Sequence, residues 1–389
     1  MDMMTNPFSP NAGSRPPELV GRDRILEEAR VLMGRTQLRR SEQSMLIKGL
    51  RGVGKTVILN EIASRAEAMG NILPVCIEAC ESKTLGELIA VPLKMALLKL
   101  SRYEGAMDKL KTGLSILRNF MGSIHIHFED VDLELEPMKG VGNSGDRQFD
   151  LIEVMKSVAE AAVQKNRAVV LLIDEVHCLG KDDLESLVMG LHKMQQLQLP
   201  LAMIGAGLPI IVKLAGMAKT YAERLFRFPD VGPLDKSDVD RVIEKPLRQA
   251  GVKIEKNALD MIYAQSLGYP YFVQQWGKQL WNYVSGKTVS VDDVRRVKES
   301  VEYSLDADFF MMRMERVTPS EYKFLLGMSR CIKNDACPIA EVAHSMRVEL
   351  AAIAQRRVSL IKKGLIYCPA RGVVAFTVPM FAEYLKRNR

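Results

Sequence analysis

Apolar and polar positions along this chain follow two alternating periods. SMLIKGL (44–50) is a short, mostly apolar run that enters a glycine turn, and TVILNEIASRAEAM (56–69) continues with helical spacing. NILPVCIEA (71–79) predicts a second strand, and LGELIAVPLKMALLKLSRY (85–103) a helix with a kink at Pro92. RAVVLLID (167–174) and LAMIGAG (201–207) read as fully buried strands on either side of the amphipathic DLESLVMGLHKMQQL (183–197). Buried strands alternating with helices predict an α/β core, a parallel sheet covered on both faces. One segment departs from this. SIHIHFEDVDLELEP (123–137) alternates apolar and polar residues about Glu129-Asp130 and predicts a β-hairpin, within an insertion spanning 104–148.

From Leu234 the strand pattern stops. DKSDVDRVIEKPLRQAG, KNALDMIYAQSLG, YPYFVQQWGKQLWNYV and SVDDVRRVKESVEY each predict a helix, giving an all-helical domain to about residue 310. Beyond it, three helices (320–332, 338–346, 350–363) precede strand, turn, strand and helix, the pattern of a winged helix. The expected domains are a flexible arm (1–17), an α/β core (18–232), a helical lid (233–317) and a winged helix (318–389). The arm is expected from its content of Pro, Asn and Ser.

Composition narrows the class. In 389 residues, 47% hydrophobic and 26% charged is ordinary for a soluble globular protein. The longest apolar run, AVVLLI (168–173), is far short of a membrane span. The first 22 residues have no basic start followed by an apolar stretch, so a cytoplasmic location is expected. The six cysteines (76, 80, 178, 331, 337, 368) have neither C-x-x-C nor zinc-ribbon spacing, which predicts reduced thiols. His177 beside Cys178 is read as structural for want of partners. Net charge is +7, and segment 318–389 holds 12 Lys/Arg against 5 Asp/Glu, leaving 42 of each sign in the remainder. A positive surplus confined to one module predicts a polyanion partner.

The chemistry is concentrated in two stretches. Gly49-Leu50-Arg51-Gly52-Val53-Gly54-Lys55-Thr56 matches G-x-x-x-x-G-K-[ST] between a strand and a helix. Its glycines let backbone N–H groups converge on phosphate oxygens at a helix N-terminus; Lys55 is placed to bridge β- and γ-phosphates and Thr56 to hold Mg²⁺. Asp174 ends the buried strand AVVLLID, where a carboxylate can hold the same ion, and Glu175 beside it can orient and deprotonate water. Nucleoside-triphosphate hydrolysis is the expected reaction.

In this order — phosphate loop, hhhhDE, sheet, helical lid, winged helix — the chain resembles the AAA+ ATPases, among them the origin-recognition ATPases and the neighbouring STAND switch ATPases. It looks most like a group of bacterial AAA-family ATP-binding proteins. The stretches that carry the likeness are LVGRD (19–23), GLRGVGKT, LLIDE, GAGLP (205–209), YAERLFRF, GYPYFVQQWGKQLW (268–281) and KKGLIYCPARGVVAFTVP (362–379). The resemblance implies that Val20, Gly21 and Arg22 lie beside an adenine, favouring ATP, and that Gly268-Tyr269-Pro270 is a STAND-like lid turn with Pro270 near the nucleotide. It also implies that Arg224, in TYAERLFRF, is an arginine finger offered to the ATP of a neighbouring subunit, with an internal salt bridge as the alternative; Arg227 is assigned a surface or lid ion pair. MIGAGLP lacks the polar side chain that usually senses the γ-phosphate, and the usual lid arginine is absent, so slow hydrolysis or a nucleotide-controlled switch is expected.

In the C-terminal module, LAAIAQRRVSLIKK (350–363) puts Ile353, Ala354, Val358 and Ile361 on one helical face and Gln355, Arg356, Ser359, Lys362 and Lys363 on the other. The second face is suited to a DNA major groove, with Arg371 in the wing tip reaching a phosphate or the minor groove. Two functions stay open: an ATPase coupled to duplex DNA in replication, transposition or defence, and a STAND-type signalling switch whose winged helix is an internal lock or binds a partner protein.

Overall fold

A strand whose every residue is apolar needs cover on both faces, and the parallel sheet of the core supplies the geometry for it. The computed structural model describes all residues except 1, 12, 129–134, 136–139, 333–335 and 389. They form two compact units, Arg22–Gly49 with Lys55–Asp230, and Met1–Gly21 with Leu50–Gly54 and Val231–Arg389.

The first unit contains β1 (Ser44–Lys48), β2 (Ile72–Glu78), β3 (Ala168–Asp174), β4 (Leu201–Gly207) and β5 (Phe226–Arg227). All pair in parallel, in the order β2-β3-β4-β1-β5. The helices are α1 (Asp23–Gln37), α2 (Lys55–Met69), α3 (Leu85–Ser101), α4 (Asp108–Ser123), α5 (Arg147–Gln164), α6 (Lys181–Gln196), α7 (Ile211–Ala218) and α8 (Ala222–Leu225). β4 is buried at every residue, and β1 and β3 at all but their last. Gly205 sits where β1 and β3 close on β4: a Cβ there would lie 2.6 Å from Met203 Cε, 2.8 Å from Val176 Cγ2 and 2.9 Å from Leu46 Cδ2. A side chain there would force Met203, Val176 or Leu46 to shift.

The expected hairpin at 123–137 falls largely outside the described residues. Its first residue, Ser123, instead closes α4, within the stretch 104–148 that was expected to be an insertion. Leu110, Leu114, Leu117 and Phe120 of that helix are in the main core. Their spacing of three and four residues is an ordinary helical stripe, so this part of the segment is integral to the core.

The second unit begins with α9 (Lys236–Gln249), α10 (Lys256–Ser266), α11 (Pro270–Tyr283) and α12 (Val291–Leu305). It is not wholly helical as expected, because β6 (Lys253–Ile254) and β7 (Thr288–Val289) pair in parallel. A π-helical turn, Asp306–Met311, and the short α13 (Met312–Met314) lead to α14 (Pro319–Cys331), β8 (Ala336–Pro338), α15 (Ile339–Met346), a 3-10 turn (Leu350–Ile353), α16 (Ala354–Lys362), β9 (Ile366–Tyr367), β10 (Val373–Phe376) and α17 (Phe381–Arg387). β8-β10-β9 is an antiparallel sheet, and the element order is consistent with a winged helix. The third helix begins later than expected. Because Leu350–Ile353 is wound as 3-10, the helical face is rotated: Ile353 and Leu360 are buried, whereas Ala354 and Val358 are exposed.

One hydrophobic cluster runs from Phe8 and Val20 through the lid helices to Leu385. Its joint is the π-helical turn. Phe309 stacks on Tyr271 (4.6 Å) and meets Phe272 edge-on (5.4 Å); Phe310 stacks on Tyr384 (4.9 Å) and Phe381 (5.6 Å).

The arm expected to be flexible is tied to α11. Phe8 is 3% exposed and packs on Gly277, where a Cβ would lie 2.3 Å from its ring. Asn6 Nδ2 donates to Lys278 O (3.1 Å) and Asn282 Oδ1 (2.8 Å), Ser9 N–H to Gln274 Oε1 (3.2 Å), and Trp281 Nε1–H to Asp2 O (2.8 Å). A polar composition did not prevent ordering, because one aromatic anchor and four hydrogen bonds suffice to offset the entropy of a short strap.

Glu321 braces the C-terminal domain. It is 4% exposed and accepts hydrogen bonds from Ser359 Oγ (2.6 Å), Lys363 Nζ (2.6 Å) and Thr318 N–H (2.7 Å). Burial alone would raise its pKa, but the hydrogen bonds from Lys363, Ser359 and Thr318 outweigh it and hold the carboxyl at about 2.

Two outcomes are expected. Phe8→Ala should cost roughly 3 kcal/mol, as for a buried aromatic truncation; an unchanged midpoint in equilibrium urea unfolding would show that the arm contributes nothing. Because the Glu321 pKa is depressed in the folded state, its contribution is present above the unfolded value of 4.5 and lost as pH falls toward about 2. Glu321→Gln should therefore flatten the stability–pH curve in that window, and an identical acid limb in both proteins would refute the brace.

Candidate nucleotide site

The site is built where β1 ends. Gly49 N–H donates to Gly207 O (3.1 Å) at the end of β4, and the chain then turns through Leu50–Gly54 into α2. Gly52 (φ +81°) and Gly54 (φ +91°) adopt left-handed backbone that side chains other than glycine rarely take, so both glycines are required by the arch itself. Lys55 opens α2, is 7% exposed, and its Nζ donates to Gly49 O (3.0 Å). An ammonium folded back over the loop is placed to serve anionic oxygens there.

Thr56 Oγ1 donates to Asp174 Oδ2 (2.6 Å). The hydroxyl of the phosphate loop and the carboxylate ending β3, the two groups expected from sequence to hold Mg²⁺, therefore meet. Asp174 Oδ1 accepts Glu175 N–H (2.8 Å), which orients the carboxylate. Glu175 has φ +49°, a conformation uncommon for a residue with a Cβ and worth an explanation at a functional position. Its Oε2 lies 3.2 Å from His177 Nδ1, and the same nitrogen is 3.4 Å from Leu208 N at the end of β4. His177, read from sequence as structural, is thus a neighbour of the acid–base candidate. Its place two residues after the carboxylate pair was the available signal.

Arg22 also belongs to this unit; it is 7% exposed and its carbonyl accepts Leu26 N–H (3.0 Å) at the start of α1. Arg224 lies in the last turn of α8, is exposed and makes no ion pair among the described residues. Arg227 does pair, Nη2 with Glu42 Oε1 (2.7 Å), as its surface assignment anticipated.

The remaining predicted residues lie in the second unit. Val20 is 3% exposed within the lid cluster. Gly21 has φ +66°, and a Cβ there would fall 2.4 Å from Asp238 Oδ2. Pro270 occupies the first turn of α11, where its missing N–H costs nothing. Its neighbour Tyr271 donates its N–H to Gly52 O (3.4 Å), and Phe309 packs 3.5 Å from the position of a Cβ on Gly52. Val53, the next residue of the arch, is 1% exposed. Arg51 N–H donates to Thr377 O (3.2 Å), and a Cβ on Gly364 would stand 2.7 Å from Arg51 Nη2. Arg313 lies over the Phe309 ring (4.0 Å to its centroid); burial, and then the Arg51 charge, push its pKa down to about 10. Tyr271, Phe309, Arg313 and Thr377 were missed from sequence, because their approach to the arch depends on tertiary packing and not on spacing.

Of the residues predicted to face DNA, Gln355, Lys362 and Arg371 are exposed and Arg356 is half-buried. Ser359 and Lys363 are corrected: both point at Glu321, and the brace engages the hydroxyl and the ammonium that the groove-facing assignment required.

Comparison with known proteins agrees with this geometry. A family profile described as AAA ATPase domain matches residues 18–204, and a domain of unknown function (DUF8462) matches 307–385. No curated protein sequence matches. Among solved structures, a Walker-type ATPase of Pyrococcus abyssi is 13% identical, covering 97% of this chain and 99% of that one with a TM-score of 0.57. A Cdc6 protein of Pyrobaculum aerophilum is 15% identical over 97% of each chain (TM-score 0.49). The Orc1 protein of Aeropyrum pernix, solved in complex with DNA, is 14% identical over 96% and 94% (TM-score 0.46). The P-loop fold, the joined Thr56 and Asp174, and the matching profile lead to one conclusion: residues 18–204 of this chain form an AAA-type P-loop domain, the part that matches the AAA ATPase domain family.

Proposed function

We propose that the chain binds ATP with Mg²⁺, hydrolyses it slowly, and uses the nucleotide state to control duplex DNA binding by its C-terminal winged helix. The observation that carries the ATPase half is the 2.6 Å contact of Thr56 Oγ1 with Asp174 Oδ2. A hydroxyl and a carboxylate at that separation form an oxygen donor set suited to Mg²⁺. Thr56 and Asp174 would hold the ion, and the Gly49–Lys55 loop the phosphates; the bound ion would supply charge neutralisation at the transferring phosphoryl group. Val20, Gly21 and Arg22 would lie at the base and Pro270 near the lid side of the nucleotide. Glu175 is the acid–base candidate for water, and His177 sits beside it. The polar residue and lid arginine absent from MIGAGLP and from the start of α11 favour slow turnover.

The DNA half is supported by the positive surplus of 318–389 and by the exposed Gln355, Lys362 and Arg371 beside the half-buried Arg356. The exposed Arg224 is available to a second copy of the chain in a homo-oligomer. Mixing Arg224→Ala with Lys55→Ala chains should restore part of the ATPase activity if it acts in trans, and no recovery in a verified mixed oligomer removes that role.

One observation favours the second reading, a switch in which the winged helix locks the nucleotide loop. Arg51 of the arch is held at Thr377 O, and Phe309 covers Gly52. Nucleotide retained through purification, together with no duplex binding at low salt, would support the lock and dismiss the DNA reading.

The deciding experiment measures ATPase rate with and without duplex DNA, for the native chain, Glu175→Gln and Lys55→Ala. Glu175→Gln should keep ATP affinity within a few-fold and lose turnover by at least about a hundredfold, the scale of a general base. Lys55→Ala should lose ATP affinity. Full turnover in Glu175→Gln would refute its role.

A further inference from the structure

The C-terminal domain contains a groove that the sequence pattern does not reveal. Its volume is about 790 Å³, and it lies between α14, the turn after α15 and the start of α16. Leu326 and Met346 contribute to its lining, and Lys323, Arg330, Arg347 and Arg356 provide its charges. Lys323, Leu326 and Arg330 recur at spacings of three and four along α14, so they share one helical face. Arg347 follows α15 with φ +55°, which places it on the helix cap and beside that face.

Four cations without a carboxylate among the lining residues repel one another, and none makes an ion pair among the described residues. The C-terminal domain does pair cations where that serves packing, as Lys363 with Glu321 and Arg387 with Asp306 show. The groove therefore keeps its charge for something outside the chain. Three of the four are guanidiniums, whose planar forks match phosphate oxygens two at a time. No aromatic residue lines the groove among the described residues, so stacking on unpaired bases has no platform there. Arg356 lines the groove and is also one of the α16 residues predicted to meet DNA, so the groove and that face share a residue.

We propose that this groove grips the phosphodiester backbone of duplex DNA, with Lys323, Arg330 and Arg347 as phosphate contacts and Arg356 joining them to the base-reading end of α16. The inference rests on the DNA-binding reading and relocates its anchoring residues: Ser359 and Lys363 leave the interface, and α14 with the α15 turn enters it.

Salt-dependent fluorescence anisotropy with a labelled duplex tests it, comparing the native chain, Lys323→Glu/Arg330→Glu, and the charge-matched Lys253→Glu/Lys256→Glu on the exposed lid surface. The groove pair should weaken low-salt binding at least tenfold and make the slope of log K against log salt shallower by about 2, one counterion-release unit per lost phosphate contact. The lid pair should change both much less, and circular dichroism melting should show both variants folded. Equal losses in the two variants overturn the groove, since net charge would then account for the effect. Native-like binding by a folded groove variant also overturns it while the DNA reading stands. If that variant instead loses affinity for poly-glutamate, the groove takes an acidic peptide and the duplex assignment fails. A native chain that does not bind duplex at low salt removes both the groove inference and the DNA reading.

Discussion

The chemistry of this chain depends on the parallel register of three strands. Lys48 is opposite Gly207, and Leu46 and Ile173 both face Gly205, so β1, β3 and β4 finish at one edge of the sheet. Parallel strands put their carboxyl ends together and leave the next residues beyond the hydrogen-bonded ladder. The phosphate loop follows β1 there, and Asp174, the last residue of β3, delivers Glu175 to the same edge. A slip of one residue in β3 would turn Asp174 to the other face and separate it from Thr56. Register is protected by volume: at Gly205 even a methyl group would meet Leu46, Val176 and Met203 at less than 3 Å.

The core sheet and the phosphate site were legible because each rests on local periodicity or on a motif with an obligatory strand–loop–helix context. Thr56 and Asp174 are 118 residues apart, yet both were placed by what precedes them in sequence. The failures are equally specific. Segment 104–148 was read through the alternation at 123–137, and the helical stripe of Leu110, Leu114, Leu117 and Phe120 was passed over. The α16 face was drawn on an ideal helix from residue 350, but four residues of 3-10 winding rotated it. The arm was judged by composition, whereas one phenylalanine facing one glycine determines its fate. The three causes differ: a helical period passed over in the first, a local change of winding in the second, and a tertiary contact in the third, about which periodicity carries no information.

The lid and the C-terminal domain share a core, which constrains how the second unit can be divided. Phe310 touches Phe272 of α11 as well as Phe381 and Tyr384 of α17. Aromatic pairs of this kind contribute roughly 0.5–1.5 kcal/mol each beyond the area they bury. Cutting the chain after α13 would strip Phe310 of Phe381 and Tyr384 and expose its ring, so a truncated lid would be a sticky fragment and a poor stand-in for the lid in the whole chain.

The strap over α11 has an optical consequence. The chain has two tryptophans, Trp276 and Trp281, and both are buried on that helix, 2% and 5% exposed. Trp281 donates its indole N–H to Asp2 and meets Phe8 edge-on at 6.3 Å, so the N-terminal strap forms part of its surroundings. Indole emission responds to hydration and to neighbouring rings, and all of it here originates from two residues five positions apart on one helix. The protein therefore contains its own spectroscopic label on α11, the helix whose first turn reaches Gly52, and a shift in emission reads the state of that helix without any added dye.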